Sequence, residues 1–164
     1  MGHPKKHRRK TSNPFRPYDK ERIQREKTIM KEFGLRRKKE IRKAESILRN
    51  FRRRARRLQA SKDENKEKAL FDKLHKMGLV KPSAKLEEVL EINVEDILSR
   101  RLQTVIYKKG LANTVSQARQ TITHGHICID DRRVKWPGVM VTVDLENKIE
   151  LNKKMHGTLK GVSE

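Results

Sequence analysis

Two pairs of histidines stand at spacings that could share a metal ion: His3 and His7 are four apart, and His124 and His126 two apart. Neither pair brings a third and fourth ligand at usable spacing, as a closed zinc site requires. The single cysteine, Cys128, lies in the apolar run from Ile127 to Ile129 and reads as a small buried side chain rather than a nucleophile. The histidines are therefore expected at the surface or against a polyanion. Catalytic signatures are missing as well. No phosphate-cradling glycine loop, serine-centred nucleophile elbow or carboxylate pair outside ordinary helix and turn positions is present, so the chain is expected not to be an enzyme. The chemistry left is that of arginine and lysine.

There are 42 Lys and Arg against 21 Asp and Glu in 164 residues, a net charge of +21. Such a charge repels itself in a compact chain unless something anionic neutralises it, and nucleic acid is the natural partner. Apolar residues make up 34% of the chain, below the roughly 45–50% of an ordinary globular domain, so a single fully packed core is not expected. A lone cysteine excludes an intramolecular disulfide and fits a reducing compartment. No apolar run approaches the roughly 20 residues that span a bilayer. The basic opening, Met1 to Lys10, lacks the apolar stretch of a secretory signal, so export by that route is not expected.

The charge is unevenly placed. Residues 1–60 hold 23 Lys and Arg against 6 acids, a net +17, while residues 61–164 hold 19 against 15, a net +4. Residues 1–18, with Pro4, Pro14 and Pro17 among six cations, are expected to form an extended basic tail that orders on a partner. Asp19 can cap a helix running to about Phe33, stopped by Gly34. The next helix, about Arg36 to Ala60, carries Ile41, Ala44, Leu48, Phe51, Ala55 and Leu58 at steps of three and four, a one-sided apolar stripe. Its other faces bear Arg36, Arg37, Lys38, Arg49, Arg52, Arg53, Arg56 and further cations, with only Glu40 and Glu45 between them. Solvated helical faces normally alternate sign to gain i,i+4 pairs. One this basic is expected to meet phosphates, which the planar guanidinium fork suits.

Residues 61–68 are polar and of mixed charge, followed by a short helix with Leu70, Phe71, Leu74 and Met77 before Gly78. Brief helices are expected around Leu86 to Leu90 and, capped by Asn93, at Val94 to Ser99, with Met77, Leu79, Leu86, Val89 and Leu90 as core. Residues 100–143 read as helix, loop, helix and two or three short strands. Thr114 to Gln117 matches a capping box, and Gly125 can take a left-handed C-cap. Strands are expected at Ile127 to Ile129 and Val134 to Trp136 around the turn Asp130-Asp131-Arg132-Arg133, then along the alternating Val139, Val141 and Val143, with Ile149 to Leu151 as a further edge. Leu102, Val105, Ala118, Ile122, Ile127 and Val134 are expected to pack. Tyr107 and Trp136 could stack on bases, although aromatics at such positions are usually core.

The run from Arg100-Arg101-Leu102-Gln103-Thr104-Val105 through Lys108-Lys109-Gly110-Leu111-Ala112, and on through Gln117-Ala118-Arg119-Gln120 to His124-Gly125-His126-Ile127, resembles the RNA-binding module of the small-subunit ribosomal protein S-four family. Glu32-Phe33-Gly34-Leu35-Arg36-Arg37-Lys38-Lys39-Glu40 resembles the helix junction of its archaeal and eukaryotic branch, as do the Pro-rich basic opening and the stretch from Leu90 to Thr104. The resemblance covers nearly the whole chain. It implies an α+β fold: a basic helical N-terminal arm plus a small module of two helices packed on a short antiparallel sheet. The expected divisions are a tail at 1–18, a mainly helical rRNA-binding region at 19–99, the module at 100–152 and a C-terminal tail at 153–164.

In function, the resemblance implies a structural constituent of the small ribosomal subunit in the cytoplasm. Such a protein binds rRNA early at a multi-helix junction, nucleates assembly and lies near the channel through which mRNA enters, contributing to translation accuracy. Its partners would be small-subunit rRNA, neighbouring small-subunit proteins and, near that channel, mRNA. By position, the module's RNA contacts would be Arg100, Arg101, Gln103, Thr104, Lys108, Lys109, Thr114, Ser116, Gln117, Arg119, Gln120, His124 and His126. One branch of the family carries a zinc-binding cysteine cluster near its N-terminus; this chain lacks it, so neither a metal nor a cofactor is carried over. Enzymes that share the module fuse it to a catalytic domain, for which the remaining residues leave no room. Two rival readings make different demands. A rescue factor built on the same module would lack the arginine-rich helix, and an architectural DNA-binding protein would take duplex DNA as readily as structured RNA.

Overall fold

The computed structural model describes residues 11–61, 63–82 and 84–152. Eight helices and a three-stranded sheet are built among them, an α+β architecture. The outer tails, residues 1–10 and 153–164, lie outside the described residues, with His3 and His7 among them.

Helix α1 (Lys20–Glu32) starts where Asp19 accepts a hydrogen bond from the Arg22 backbone N–H, at 3.4 Å. It ends as Leu35 N–H turns back onto the Met30 carbonyl at 2.9 Å, with Gly34 at φ 56° making the reversal. Helix α2 (Lys38–Ser61) is the spine of the N-terminal half. All six residues of its expected apolar stripe are buried, and α1, α3 (Glu64–Lys76), α4 (Leu86–Glu91) and α5 (Val94–Ser99) pack around it. Helix α3 begins inside the mixed-charge stretch, earlier than its apolar residues suggest. Glu64 and Glu67 in its first turn and Lys73, His75 and Lys76 in its last complement the helix dipole. Val89 is buried in this core, and Met77, Leu79, Leu86 and Leu90 are partly buried against it.

A second apolar cluster holds the C-terminal half. Leu102, Val105 and Ile106 of α6 (Leu102–Lys108), Ala118 and Ile122 of α7 (Val115–Thr123), and Ile127, Ile129, Val141 and Ile149 form it, with Val134 partly buried at its edge. So the low apolar content is spread over two small cores, the first ending at Leu98 and the second starting at Leu102. Strand β1 (Ile127–Ile129) is central, flanked by antiparallel β2 (Arg132–Arg133) and β3 (Ile149–Leu151).

Four expectations are corrected here. The hairpin strand is Arg132–Arg133 rather than Val134 to Trp136, because the turn is only Asp130-Asp131, at φ 52° and 62°, pairing Ile129 with Arg132. This is the double left-handed geometry of a tight two-residue hairpin. The alternating valines form no third sheet strand. Val139 and Val141 instead hydrogen-bond across to Leu102 and Arg100, leaving a single bridge between Met140 and Arg101, and Val143 opens helix α8 (Val143–Glu146). Tyr107 and Trp136 are exposed rather than core, Trp136 at 73%. Cys128 is half-buried, since it points off the face that Ile127 and Ile129 bury.

Candidate nucleic-acid interface

One basic groove lies along α2, which at about 1.5 Å per residue is roughly 36 Å long, and a basic cleft lies beyond its N-terminus. Towards its C-terminal half, Arg49, Arg52, Arg53, Arg56 and Arg57 line a groove of about 780 Å³ against Val94 of α5, with Glu45 as its one acid. The helical period sets this up. Burying Leu48, Phe51 and Ala55 turns Arg49, Arg53 and Arg56 to solvent. Arg52 is held at the groove wall by its 2.7 Å hydrogen bond to the Ile92 carbonyl, and Arg49 reaches Ser12 at 2.9 Å.

At the other end, the α1–α2 junction meets α7. Here Lys31 and Arg36 face Ser116, Arg119, Gln120 and His124 across a cleft of about 640 Å³. Close approach is possible because position 34 is glycine. A Cβ there would sit 2.9 Å from Val115 Cγ1 and 3.0 Å from Gln103 Nε2, in a left-handed conformation that other residues rarely adopt. The Gln103 amide ties the halves together, donating to the Gly34 carbonyl at 3.1 Å and the Val115 carbonyl at 3.0 Å.

Beneath this cleft Glu40 binds two guanidiniums at once. Arg101 donates to Oε2, while Arg119 reaches Oε1 at 3.2 Å and Oε2 at 3.3 Å. Burial alone would push the Glu40 carboxyl up, but hydrogen bonds from Arg119 and Arg101, together with their positive charge, outweigh it and hold the group below its ordinary 4.5. Glu40 carried no role in the sequence reading. Its signal is present, as one acid among six surrounding cations from Arg36 to Lys43, but its partners lie about sixty and eighty residues away.

The expected RNA contacts divide by burial. Arg36, Arg37, Arg49, Arg53, Arg56, Lys108, Thr114, Ser116, Gln120 and His124 are exposed, and Lys38, Arg52, Arg100, Lys109, Gln117, Arg119 and His126 half-buried. Arg101, Gln103 and Thr104 are buried inside the fold, and this corrects their expected place on the surface. Arg101 is spent on Glu40, Gln103 on the backbone of both halves, and Thr104 on the Leu98 carbonyl at 2.9 Å. Thr114 and Gln117 also work locally. The Thr114 hydroxyl accepts from Gln117 N–H at 3.1 Å, and the Gln117 side chain accepts from Asn113 N–H at 2.9 Å, one residue before the position a capping box predicts.

Among the half-buried cations, Lys38 pairs with buried Glu26 at 3.4 Å, Arg100 with Glu146 at 2.9 Å, and Lys109 donates to the Glu146 carbonyl. The rings of His124 and His126 lie 5.9 Å apart, and among the described residues no group of three or more His, Cys, Asp or Glu is arranged to hold a metal. No described helix is long and apolar enough to cross a membrane.

Residues 100–147 match the family model of the S4 domain. Across its length the chain is similar to the small ribosomal subunit protein uS4 of Saccharolobus solfataricus, 49% identical over 154 residues that span 92% of this chain and 85% of that protein. It is similar too to the small ribosomal subunit protein uS4 of Ignicoccus hospitalis, 50% identical over 152 residues spanning 91% and 92%. With about half of the aligned positions identical across more than nine-tenths of its length, this chain belongs to the small ribosomal subunit protein uS4 family.

Proposed function

We propose that this chain is a structural, non-enzymatic constituent of the small ribosomal subunit in the cytoplasm, bound there to rRNA through the two basic clefts. The observation that carries this reading is likeness along more than nine-tenths of the chain to proteins named for that subunit. The chemistry is of phosphate and shape. A-form RNA hides its major groove and offers phosphates and ribose hydroxyls, which lysine and arginine meet while releasing condensed counterions. Within the clefts the direct contacts fall on Arg36, Arg49, Arg52, Arg53, Arg56, Ser116, Arg119, Gln120 and His124, and outside them on Arg37, Lys38, Arg100, Lys108, Lys109 and His126. Arg101, Gln103 and Thr104 form the buried scaffold behind them, while Thr114 and Gln117 cap α7 and add polar contacts at its start.

In finer detail, the chain docks early at a multi-helix junction and nucleates assembly, with residues 19–99 and 100–152 binding together and the tails at 1–18 and 153–164 adding contacts. It then lies beside neighbouring small-subunit proteins near the channel through which mRNA enters, where it contributes to translation accuracy. The long arginine-rich α2 favours this over a rescue factor, which would have no use for it. Co-sedimentation with small subunits through a high-salt wash tests the reading. The chain is expected to stay with the subunit, and release into the free fraction would point to a transient factor.

A further inference from the structure

The two halves of the chain, each folded on its own apolar cluster, meet at a seam whose outer edge is the cleft between the α1–α2 junction and α7. Its cations come from both sides: Lys31 and Arg36 from the helical half, Arg119 from the module. Ser116 and Gln120 add neutral hydrogen-bonding groups, and no carboxylate lines it. The charge balance underneath matters. One carboxylate, Glu40, lies between two guanidiniums, which leaves one positive charge over. Arg101 is buried at 7%, whereas the Arg119 side chain is 22% exposed and lines the cleft, so the surplus charge faces outward. Glu40 and the Gln103 side-chain oxygen, at 3.4 Å from Nη1, fix the inner edge of the Arg119 guanidinium. Its Nε and one Nη2 hydrogen have no protein acceptor among the described residues.

We propose that this seam is a composite phosphate-docking site, in which one phosphodiester of the RNA backbone sits between Lys31 and Arg36 on one side and Arg119 on the other, with Glu40 as the positioning residue that holds Arg119 in place. The inference rests on the rRNA-binding reading and names a site within it. Neither half alone contains the site, so RNA seated there binds the helical arm and the module as one unit, and reports whether they are docked. Arg119 needs no rearrangement to receive a phosphate, because the fold already holds it on its inner edge, while the exposed Lys31 and Arg36 side chains close on it from the other side.

The test uses the full chain and a small-subunit rRNA fragment containing a multi-helix junction, with binding measured across a series of potassium chloride concentrations. Lys31→Met and Arg36→Met both alter exposed side chains and leave the fold intact. Each is expected to weaken binding several-fold and to reduce the magnitude of the salt slope by about 1. Arg119→Gln is expected to cost a similar factor in the wild-type background but almost nothing when added to Glu40→Gln, assayed well below the melting temperature of that variant. A purely structural Glu40 would leave the Arg119 effect intact. Unchanged affinity and slope in the Lys31→Met/Arg36→Met double variant, with the wild type binding the junction tightly, would overturn the site. An equal slope change on duplex DNA would overturn its assignment to RNA. Loss of junction preference by the wild type itself would instead sink the rRNA reading, so the two failures are read from different samples.

Discussion

Glu40 is the residue on which the joining of the two halves turns. Its folded-state pKa is lowered, so folding favours the charged form. The stability this contributes is fully present above the ordinary carboxylate value of 4.5 and is lost as pH falls through the lower folded value. Thermal melts followed from neutral pH to well below 4.5 should therefore show an acid-side decline that Glu40→Gln partly flattens. At neutral pH the same variant leaves the buried Arg101 short of its counter-charge and should cost roughly 2–3 kcal/mol by denaturant titration, discounted from a fully buried pair because Glu40 is only half-buried. Gly34→Ala should destabilise by more than about 1 kcal/mol, since it combines a forbidding φ with a Cβ placed 2.9 Å from Val115. A loss below that in the same titration would mean that the junction can move away from α7.

At the scale of elements, α2 shows how a sequence period becomes a working surface. Phe51→Ala on its buried stripe should cost about 3–5 kcal/mol, whereas Arg53→Ala on the open face should change stability by no more than about 0.5 kcal/mol while weakening RNA binding. Equal losses of stability would refute the division of faces. That division was legible, because a helix must repeat its apolar positions at three and four and all six of these are buried. The alternating valines from Val139 misled for a physical reason. Alternation marks an extended segment with one buried face, and Val141 is indeed buried, but the partner of that segment is the start of α6 and not a strand. Arg101, Gln103 and Thr104 misled in the opposite way. Polar residues beside a basic doublet read as surface, and the docking of the α1–α2 region, more than sixty residues away, supplies the Glu40 acceptor for Arg101 and the Phe33 and Gly34 acceptors for Gln103, while Thr104 turns inward onto the nearby Leu98 carbonyl.

For the whole molecule, the opening imbalance of +21 falls into two uses. Part is internal: Arg101 and Arg119 meet Glu40 and hold the halves in register, while Lys38 meets Glu26 within the helical half and Arg100 meets Glu146 within the module. The rest, concentrated on α2 and at the seam, faces outward in two clefts with few acids between them. Binding through such clefts must fall steeply with salt, yet steep salt dependence alone is shared by any polycation on any nucleic acid. Selectivity is the sharper claim. The direct measurement is a competition at fixed ionic strength, in which the chain bound to a junction-containing small-subunit rRNA fragment is challenged with equal concentrations of duplex DNA and of unstructured RNA. Neither is expected to displace the junction. Displacement by either at equal concentration would contradict this selectivity.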